Sequence, residues 1–288
     1  MDFIGKRTIW FAISLAIIIA GIISLALQGL NMGIDFAGGN KYMLKFDEDV
    51  TSAQIRVVLA DFGLGKSSIQ ESGKSTFIIR TKLLSEKENT ELLKALQKKL
   101  GKMDVLSNEK VGPVIGKELR TKAFWALLIA SILIVIYITV RFQFSFAIAA
   151  IIALIHDVLV TLSFFSFTQV ELNTSFVAAM LTIIGYSIND TIVVFDRIRE
   201  NIGFRKKEPL FETVNKSIRQ TLTRSINTSL TSIMALIALL LFGGETIKVF
   251  ALAMLIGFIS GTYSSIFIAS PLWFEFKNRL SKPKRVHI

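Results

Sequence analysis

The stretch LTIIGYSINDTIVVF, residues 181–195, is apolar on both sides of an Asn-Asp pair. Its composition is typical of a membrane-spanning helix, in which an ionised carboxylate costs about 3 kcal/mol or more. Asp190 must therefore be neutral or compensated by a partner, and an apolar or amide side chain would pack there at a lower cost in free energy. We interpret Asp190, together with Asn189, as part of a proton relay.

The composition places the whole chain in a membrane. Of its 288 residues, 52% are hydrophobic, the mean hydropathy is +0.56, and the apolar residues occur in long blocks, unlike those of a soluble protein. The net charge of +11 would favour a nucleic-acid partner in a soluble protein, but a cytoplasmic excess of Lys and Arg accounts for it in a membrane protein. We expect membrane lipids, and no nucleic acid, as partners.

The residue inventory gives little support to an enzyme. The absence of cysteine excludes disulfides and thiol chemistry, and a metal site needs more convergent ligands than two histidines supply. The string ADFGLGKS, residues 60–67, ends like a nucleotide-binding loop, but a helix is predicted before it and a strand after it, the reverse of the required order. We expect no enzyme activity, no catalytic residue, no metal and no cofactor.

The apolar blocks predict an α-helical membrane protein with six transmembrane helices. At about 1.5 Å rise per residue, roughly 20 residues cross the hydrocarbon core of a bilayer. The first block is too long for the core of a signal peptide and lacks a clear cleavage site, so we expect it to be retained. The six spans are expected at residues 9–28, 123–140, 144–168, 172–195, 225–243 and 248–274.

The distribution of charge predicts the orientation of the spans. Lys and Arg are abundant at both termini and in the connection between the fourth and fifth spans, whereas the opposite short loops hold only Glu171, Glu245 and Lys248. The positive-inside rule therefore places both termini in the cytoplasm. We divide the chain into the N-terminus with the first span (1–30), an extracytoplasmic domain (31–112), the remaining spans (113–274) and a basic cytoplasmic tail (275–288).

The extracytoplasmic segment predicts a small α+β domain. Its hydrophobic periodicity alternates between strand and helix in the order βαββαβ, which is the ferredoxin-like pattern. Thr51 and Ser85 precede the two predicted helices as N-caps, and Glu88 stands three residues after Ser85, as a capping box requires.

Three consecutive spans carry polar groups that can meet inside the bundle. Asp157 lies in the third span, Asp190 in the fourth and Arg224 at the start of the fifth. We predict Arg224 as the partner of Asp190, with a simple cytoplasmic anchor as an equal alternative, and Asp157 as a second member of the relay. The role of His156 stays open, and for the neighbouring Ser and Thr residues we favour hydrogen bonds that pack helices together.

The sixth span contains a small-residue motif. In GFISG, Gly257 and Gly261 are four residues apart, which lets a second helix approach closely. We expect these glycines to pack within the chain or against a partner.

Five strings together resemble the SecD/SecF family of protein-export membrane proteins, and within it the SecF subunits. The resemblance runs from about residue 31 to the sixth span, and one position departs from it, since Ala37 stands where the family has a threonine. The strings are GIDFAGG (33–39), VGPVIGKEL (111–119), ALIHDV (153–158), IGYSINDTIVVFDRIREN (184–201) and QTLTRSINTSLTS (220–232).

The resemblance implies a fold and a function. It implies half of an RND-type transporter in the bacterial inner membrane, which uses the proton-motive force to assist late translocation of secretory polypeptides. It assigns the membrane aspartate of the family to Asp190 and the family arginine to Arg224. A fused SecD–SecF protein would be far longer. The motif residues that the resemblance singles out are Gly33, Asp35, Gly38, Gly39, Gly112, Pro113 and Gly116.

The resemblance also implies partners. These are SecD, the Sec channel (SecY, SecE and SecG), YajC and YidC, the translocating polypeptide, and protons. Two other functions stay open from the residues alone. One is an RND-type exporter of small molecules or lipids, and the other is a passive scaffold for a membrane complex.

Overall fold

The structure, a computed structural model, describes residues 2–204 and 208–280. Several of the basic residues that orient the spans lie outside the described residues: Arg205, Lys206, Lys207, Lys282, Lys284 and Arg285. The same holds for most of the predicted basic tail. The chain divides into two compact units. We call Met1–Asn31 with Trp125–Ile288 the helical unit, and Met32–Phe124 the sheet unit.

Six helices in the described residues are long and apolar enough to cross a membrane. The last of these spans, Thr246–Arg279, contains a π-helical segment, Ser265–Ala269, between two α-helices. The α-helices are α1 Arg7–Leu27, α2 Ile34–Ala37, α3 Ser52–Asp61, α4 Glu86–Leu100, α5 Pro113–Arg141, α6 Phe144–Thr168, α7 Thr174–Phe204, α8 Leu210–Phe242, α9 Glu245–Ser264 and α10 Ser270–Leu280.

Three helices extend well beyond the spans predicted from hydropathy. The span expected at 123–140 begins at Pro113, the one at 225–243 begins at Leu210, and the one at 172–195 continues to Phe204. The reason is that backbone hydrogen bonds continue through polar turns, whereas hydropathy reports only the apolar part of a helix.

The helical unit buries small and polar residues as well as apolar ones. The buried residues of α1 are Ser14, Gly21 and Ser24, whereas many of its large apolar residues are exposed. A Cβ on Gly21 would overlap the Ser163 side chain of α6, so this glycine allows α1 and α6 to pack closely. This arrangement suits a bilayer, where small and hydroxyl residues lie between helices and apolar residues face lipid.

A cluster of aromatic side chains packs at one end of the helical unit. Trp273 of α10 stacks on Phe146 of α6 with ring centroids 4.5 Å apart, and Phe146 contacts Phe195 of α7 at 4.9 Å. The N-terminal residues close over this region, since the side-chain oxygen of Asn215 accepts hydrogen bonds from the backbone N–H groups of Phe3 and Ile4. Such aromatic pairs add about 0.5–1.5 kcal/mol each beyond their buried area.

The sheet unit contains one antiparallel sheet in the order β2-β3-β1-β4. The helices α3 and α4 share a hydrophobic core with the sheet, and Tyr42, Leu44 and Phe46 of β1 lie at its centre. Burial raises the pKa of Tyr42 to about 12. The strands are β1 Gly39–Phe46, β2 Ser68–Glu71, β3 Thr76–Thr81 and β4 Met103–Val111.

Both predicted N-caps are present, and each forms a capping box, although only the one at Ser85 was predicted. The hydroxyl of Thr51 accepts from the backbone N–H of Gln54, and the Gln54 side chain accepts from the N–H of Thr51. Ser85 and Glu88 make the same pair of bonds at the start of α4. These bonds satisfy N–H groups that have no partner inside the helix.

Candidate functional site

Asp190 is held by two serine hydroxyls from two other elements of the helical unit. Ser225 of α8 donates to Oδ1 at 2.7 Å, and Ser265, the first residue of the π-helical segment, donates to Oδ2 at 2.7 Å. The side chain is buried. Because each oxygen has a neutral donor, the carboxylate is partly compensated without a cation, and it links α7 to both neighbours.

Arg224 does not contact Asp190 in this conformation. Among the described residues no ion pair within 4.0 Å joins them, and Arg224 is exposed. Consecutive helical residues point about 100° apart, so the turn of α8 that buries Ser225 directs Arg224 outward. For the same reason Ser229 is buried, whereas Thr228 and Thr231 are exposed.

Arg224 instead lines a charged cavity of ≈ 470 Å³ between α7 and α8. Asp196, Arg197 and Glu200 line the same cavity, and Arg197 forms an ion pair with Glu200 at 2.6 Å. Thr221, one turn before Ser225, is a further lining residue. The cavity is thus adjacent along both helices to the Asp190–Ser225 hydrogen bond.

Asn189 does not join the cluster around Asp190. Its side chain is exposed on α7, about 100° around the helix from the buried carboxylate. The structure therefore separates the two residues that the sequence presents as a pair.

Asp157 has more hydrogen-bond partners than Asp190. It is fully buried in α6, and Ser260 donates to Oδ1 at 2.6 Å. Ser187 and Ser264 donate to Oδ2 at 2.5 and 2.7 Å. The neighbouring His156 places Nδ1 2.9 Å from Oδ1, so four polar groups from three helices converge on one carboxyl.

His156 links this cluster to α1. Its Nε2 lies 3.0 Å from Oγ of Ser14, and Ser14 donates to the hydroxyl of Tyr263 at 3.2 Å. Tyr263 in turn donates to the backbone oxygen of Trp10 at 3.0 Å. A continuous chain of hydrogen bonds therefore runs from Asp157 through His156 to the backbone of α1.

Sequence reasoning missed the main contribution of the sixth span. Ser260 and Ser264 stand four residues apart on α9, and both donate to Asp157. This spacing puts two hydroxyls on one helix face, a signal that the sequence contains. No residue spacing in the sequence predicts that a π-helical segment begins at Ser265. Such segments often occur at functional sites.

The small-residue motif packs within the chain. A Cβ on Gly257 would overlap the side chain of Ile183, and one on Gly261 would lie 3.0 Å from Cβ of Ser187. Both contacts are with α7, so the two glycines bring α9 close enough for Ser260 and Ser264 to reach Asp157.

The glycines of the strings GIDFAGG (33–39) and VGPVIGKEL (111–119) lie close together in the sheet unit. Strands β1 and β4 pair with Gly39 opposite Val111, which brings the end of one motif beside the start of the other. A Cβ on Gly38 would lie 3.1 Å from Cα of Pro113, and one on Gly116 would lie 3.1 Å from the backbone oxygen of Phe36. These residues are therefore explained by close backbone packing.

The remaining motif residues lie at the ends of helices. Gly33 precedes α2, and Asp35 is in the first turn of that helix. Gly112 directly precedes α5, and a Cβ there would meet no atom within 4 Å. Local space therefore does not require a glycine at this position.

Comparison with protein families gives two matches. The family described as Protein export membrane protein SecD/SecF, C-terminal matches residues 91–279. The SecD/SecF GG Motif matches residues 23–50, which include the glycines that pack at the start of β1.

Individual relatives match over nearly the whole chain. The protein translocase subunit SecF of Acidaminococcus fermentans is 47% identical over 283 residues, which cover 95% of this chain and 96% of the relative. The subunit SecF of Sebaldella termitidis is 42% identical over 285 residues, covering 97% and 92% of the two chains. The longer translocase subunit SecDF of Bacillus subtilis is 42% identical, and the match covers 96% of this chain and 38% of that protein.

A solved structure supports the fold. The crystal structure of SecDF from Thermus thermophilus, described as a translocon-associated membrane protein, superposes with a TM-score of 0.90 at 39% identity. The match covers 97% of this chain and 39% of the SecDF chain. A crystal structure of SecDF in a super-membrane-facing form gives a TM-score of 0.73.

Proposed function

The chain belongs to the SecD/SecF family of protein export membrane proteins, and from this premise we propose that it works as the SecF-type subunit of a complex with SecD. In this proposal it uses the proton-motive force to assist the late stage of polypeptide export through the Sec channel. It resides in the bacterial inner membrane with both termini in the cytoplasm. Its spans form half of an RND-type transporter, its sheet unit has the ferredoxin-like fold, and its role is transport without enzyme activity.

The environment of Asp190 carries this proposal. Its two oxygens are held by Ser225 and Ser265, which belong to different elements, so a change in its protonation alters contacts between three parts of the bundle. A hydroxyl can donate to a carboxylate and, after rotation, accept from a protonated carboxyl. Asp190 can therefore exist in both states at this position. One elementary charge that crosses 100 mV supplies about 2.3 kcal/mol, so a few protons can drive a conformational change.

In this proposal the charged cavity gives Asp190 a route to water. Asp196 lines it and follows Asp190 by six residues, a distance of about 9 Å along a helix. We propose that Arg224, which lines the same cavity, approaches Asp190 in another conformation of the cycle. Protonation of Asp190 then weakens this attraction, and the helices repack.

An exposed polar face supports association with SecD. Asn189 on α7 and Thr228 and Thr231 on α8 are exposed, although both helices are long enough to span a membrane. Polar groups that face lipid cost free energy. We propose that SecD covers this face, and that the Sec channel, YajC, YidC and the translocating polypeptide contact the assembled complex.

The decisive experiment compares Asp190→Asn with the unaltered chain in vesicles that contain SecD, the Sec channel and its ATPase. We expect Asp190→Asn to lose the stimulation of export by an imposed proton gradient while the complex with SecD still forms. Asp61→Asn is the matched control, since Asp61 pairs with the exposed Lys99 in the sheet unit. Full gradient-dependent export by Asp190→Asn would reject the proposal and favour a passive scaffold. Gradient-driven transport of a small molecule without Sec components would favour an exporter.

A further inference from the structure

The chain of hydrogen bonds from Asp157 to Trp10 has a direction that its last member fixes. A backbone carbonyl oxygen can only accept, so the single hydroxyl proton of Tyr263 points to the oxygen of Trp10, 3.0 Å away. The bond between Ser14 and Tyr263, 3.2 Å long, then requires Ser14 to donate. Since Ser14 has one proton, its oxygen must accept from Nε2 of His156.

This direction fixes the proton count of His156 and Asp157. With a proton on Nε2, an otherwise neutral imidazole has a lone pair on Nδ1, and this atom lies 2.9 Å from Oδ1 of Asp157. An ionised carboxylate there would place two lone pairs against each other. One further proton must therefore lie between the two atoms, and the pair as a whole is neutral.

The surroundings agree with a neutral pair that holds a proton. Asp157 is fully buried and His156 is 5% exposed, so a net charge would be costly at this depth. The imidazole stacks on the ring of Tyr263 at a centroid distance of 5.9 Å, a position that favours a cation. The described ion pairs assign no lysine or arginine to Asp157, and its one ionisable partner is His156.

A cavity borders this chain of hydrogen bonds. It has a volume of ≈ 380 Å³ and is lined by His156, Ser260 and Tyr263 among mostly apolar side chains. The direction of the chain follows from the bonds between the protein groups, and the cavity lies beside His156, where a proton can leave.

The titratable groups that face this pair are few. On the elements packed against α6, Tyr263 belongs to α9, while α1 and α7 contribute the hydroxyls of Ser14 and Ser187. The next carboxyl on α7 is Asp190, which is bound to Ser225 and Ser265.

We propose that His156 and Asp157 form a second proton-binding site, which holds one proton in this conformation. Loss of this proton reverses the direction of the hydrogen-bond chain and breaks the hydrogen bond from Tyr263 to the backbone oxygen of Trp10. The proton leaves to water. The neutral His156 then donates from Nδ1 to the Asp157 carboxylate, and Nε2 accepts from Ser14. Ser14 accepts from Tyr263, which turns away from Trp10.

The proposed site has a consequence for the contact between helices. With the proton bound, the hydroxyl of Tyr263 joins α9 to the backbone of α1 by a hydrogen bond, and without the proton this hydrogen bond is lost. Ser264 and Ser265, adjacent in the chain, contact Asp157 and Asp190 respectively, so movement of this segment affects both carboxyls. The role of the site in export rests on the proposed function, whereas its proton count does not.

Nitrogen NMR of histidine tests the proton count directly. The chain has two histidines, so a His287→Gln variant labelled with ¹⁵N-histidine reports on His156 alone. In lipid nanodiscs at pH 7 we expect a protonated Nε2 and a second proton shared by Nδ1 with Asp157. A neutral ring that carries its only proton on Nδ1 would overturn the proposal.

Two variants separate the chain of hydrogen bonds from the export function. Tyr263→Phe removes the hydroxyl that requires Ser14 to donate, so we expect loss of the Nε2–H signal of His156. Ser131→Ala is the control, because the hydroxyl of Ser131 bonds within its own helix, and it should leave that signal unchanged. An unchanged signal in Tyr263→Phe would reject the inference, even if Asp190→Asn abolishes gradient-dependent export. Loss of the signal together with full export by Asp190→Asn would support the site and reject the proposed function.

Discussion

Ser264 and Ser265 are adjacent in the chain, yet their hydroxyls donate to different carboxyls. Ser264 contacts Asp157 of α6, and Ser265 contacts Asp190 of α7, each at 2.7 Å. The α-helix α9 ends at Ser264 and the π-helical segment begins at Ser265. A single turn of the last span thus connects both buried carboxyls, and a shift of this turn changes both environments together.

Removing either hydroxyl should destabilise the bundle. Hydrogen bonds between membrane helices contribute about 0.5–2 kcal/mol each, so we expect Ser264→Ala and Ser265→Ala each to lower the unfolding free energy by about that amount. Thermal unfolding in detergent measures the change. Ser131→Ala is the control, because the hydroxyl of Ser131 donates to the backbone oxygen of Leu127 in its own helix, and the loss of unfolding free energy should stay within about 0.5 kcal/mol. Equal effects of all three variants would contradict the contacts to the carboxyls.

The packing of Gly257 predicts a specific steric conflict. A methyl group at this position overlaps the side chain of Ile183, so we expect Gly257→Ala to destabilise the chain by about 1–3 kcal/mol. A second change, Ile183→Ala, makes room, and the double variant should recover part of the loss relative to the sum of the single changes. Gly185→Ala serves as the control, since a Cβ there meets no atom within 4 Å. Additive losses in the double variant would argue against this contact.

The start of β1 depends on a backbone conformation that favours glycine. Gly39 has φ +140°, and a Cβ there would overlap the backbone oxygen of Thr81. We expect Gly39→Ala to loosen the pairing of β1 with β3, which limited proteolysis of the sheet unit detects as faster cleavage. In Gly112→Ala the new methyl group meets no atom within 4 Å, so cleavage should stay at the unaltered rate. If the two variants are cleaved equally, the steric explanation of Gly39 is wrong.

The first turn of α4 should weaken in acid. Hydrogen bonds from the backbone and the hydroxyl of Ser85 lower the pKa of Glu88 below its ordinary value of 4.5. A lowered folded-state pKa means that the stabilisation is complete above the ordinary value and is lost as the pH falls through the folded-state pKa. At pH 7 we expect hydrogen exchange of this turn to be slower in the unaltered chain than in Glu88→Gln. We expect this difference to disappear as the pH falls through the lowered pKa of Glu88. A difference that persists below this pKa would exclude ionisation as its source.

Arg224 should matter for export but not for the stability of this conformation. Its side chain is exposed and no described ion pair includes it, so Arg224→Ala should change the unfolding free energy by less than about 0.5 kcal/mol. If Arg224 approaches Asp190 during the cycle, the same variant reduces gradient-dependent export in vesicles with SecD. Arg219→Ala is the matched control, an exposed arginine on the same helix. Unchanged export by Arg224→Ala would remove Arg224 from the mechanism.

Hydropathy and capping residues predicted much of the fold. Each expected span lies on one of the long apolar helices, and Thr51 and Ser85 cap helices as predicted. The ends of α5, α7 and α8 were not predictable from hydropathy, because a helix continues through polar turns. Of the polar groups predicted to converge, Ser225 of the fifth span meets Asp190 of the fourth, but Asn189 and Arg224 point away. The contact of Ser260, in the sixth span, with Asp157 was not predicted.

The sequence by itself determined which segments are apolar enough to cross a membrane and which buried segments carry ionisable groups, because both are properties of a short stretch of chain. Only the tertiary structure decided which groups meet. The contacts of Asp157 with Ser187, Ser260 and Ser264, and of Asp190 with Ser225 and Ser265, depend on the rotation of four helices about their own axes. A rotation of about 100° exchanges one residue for the next, and packing against neighbouring helices sets that angle.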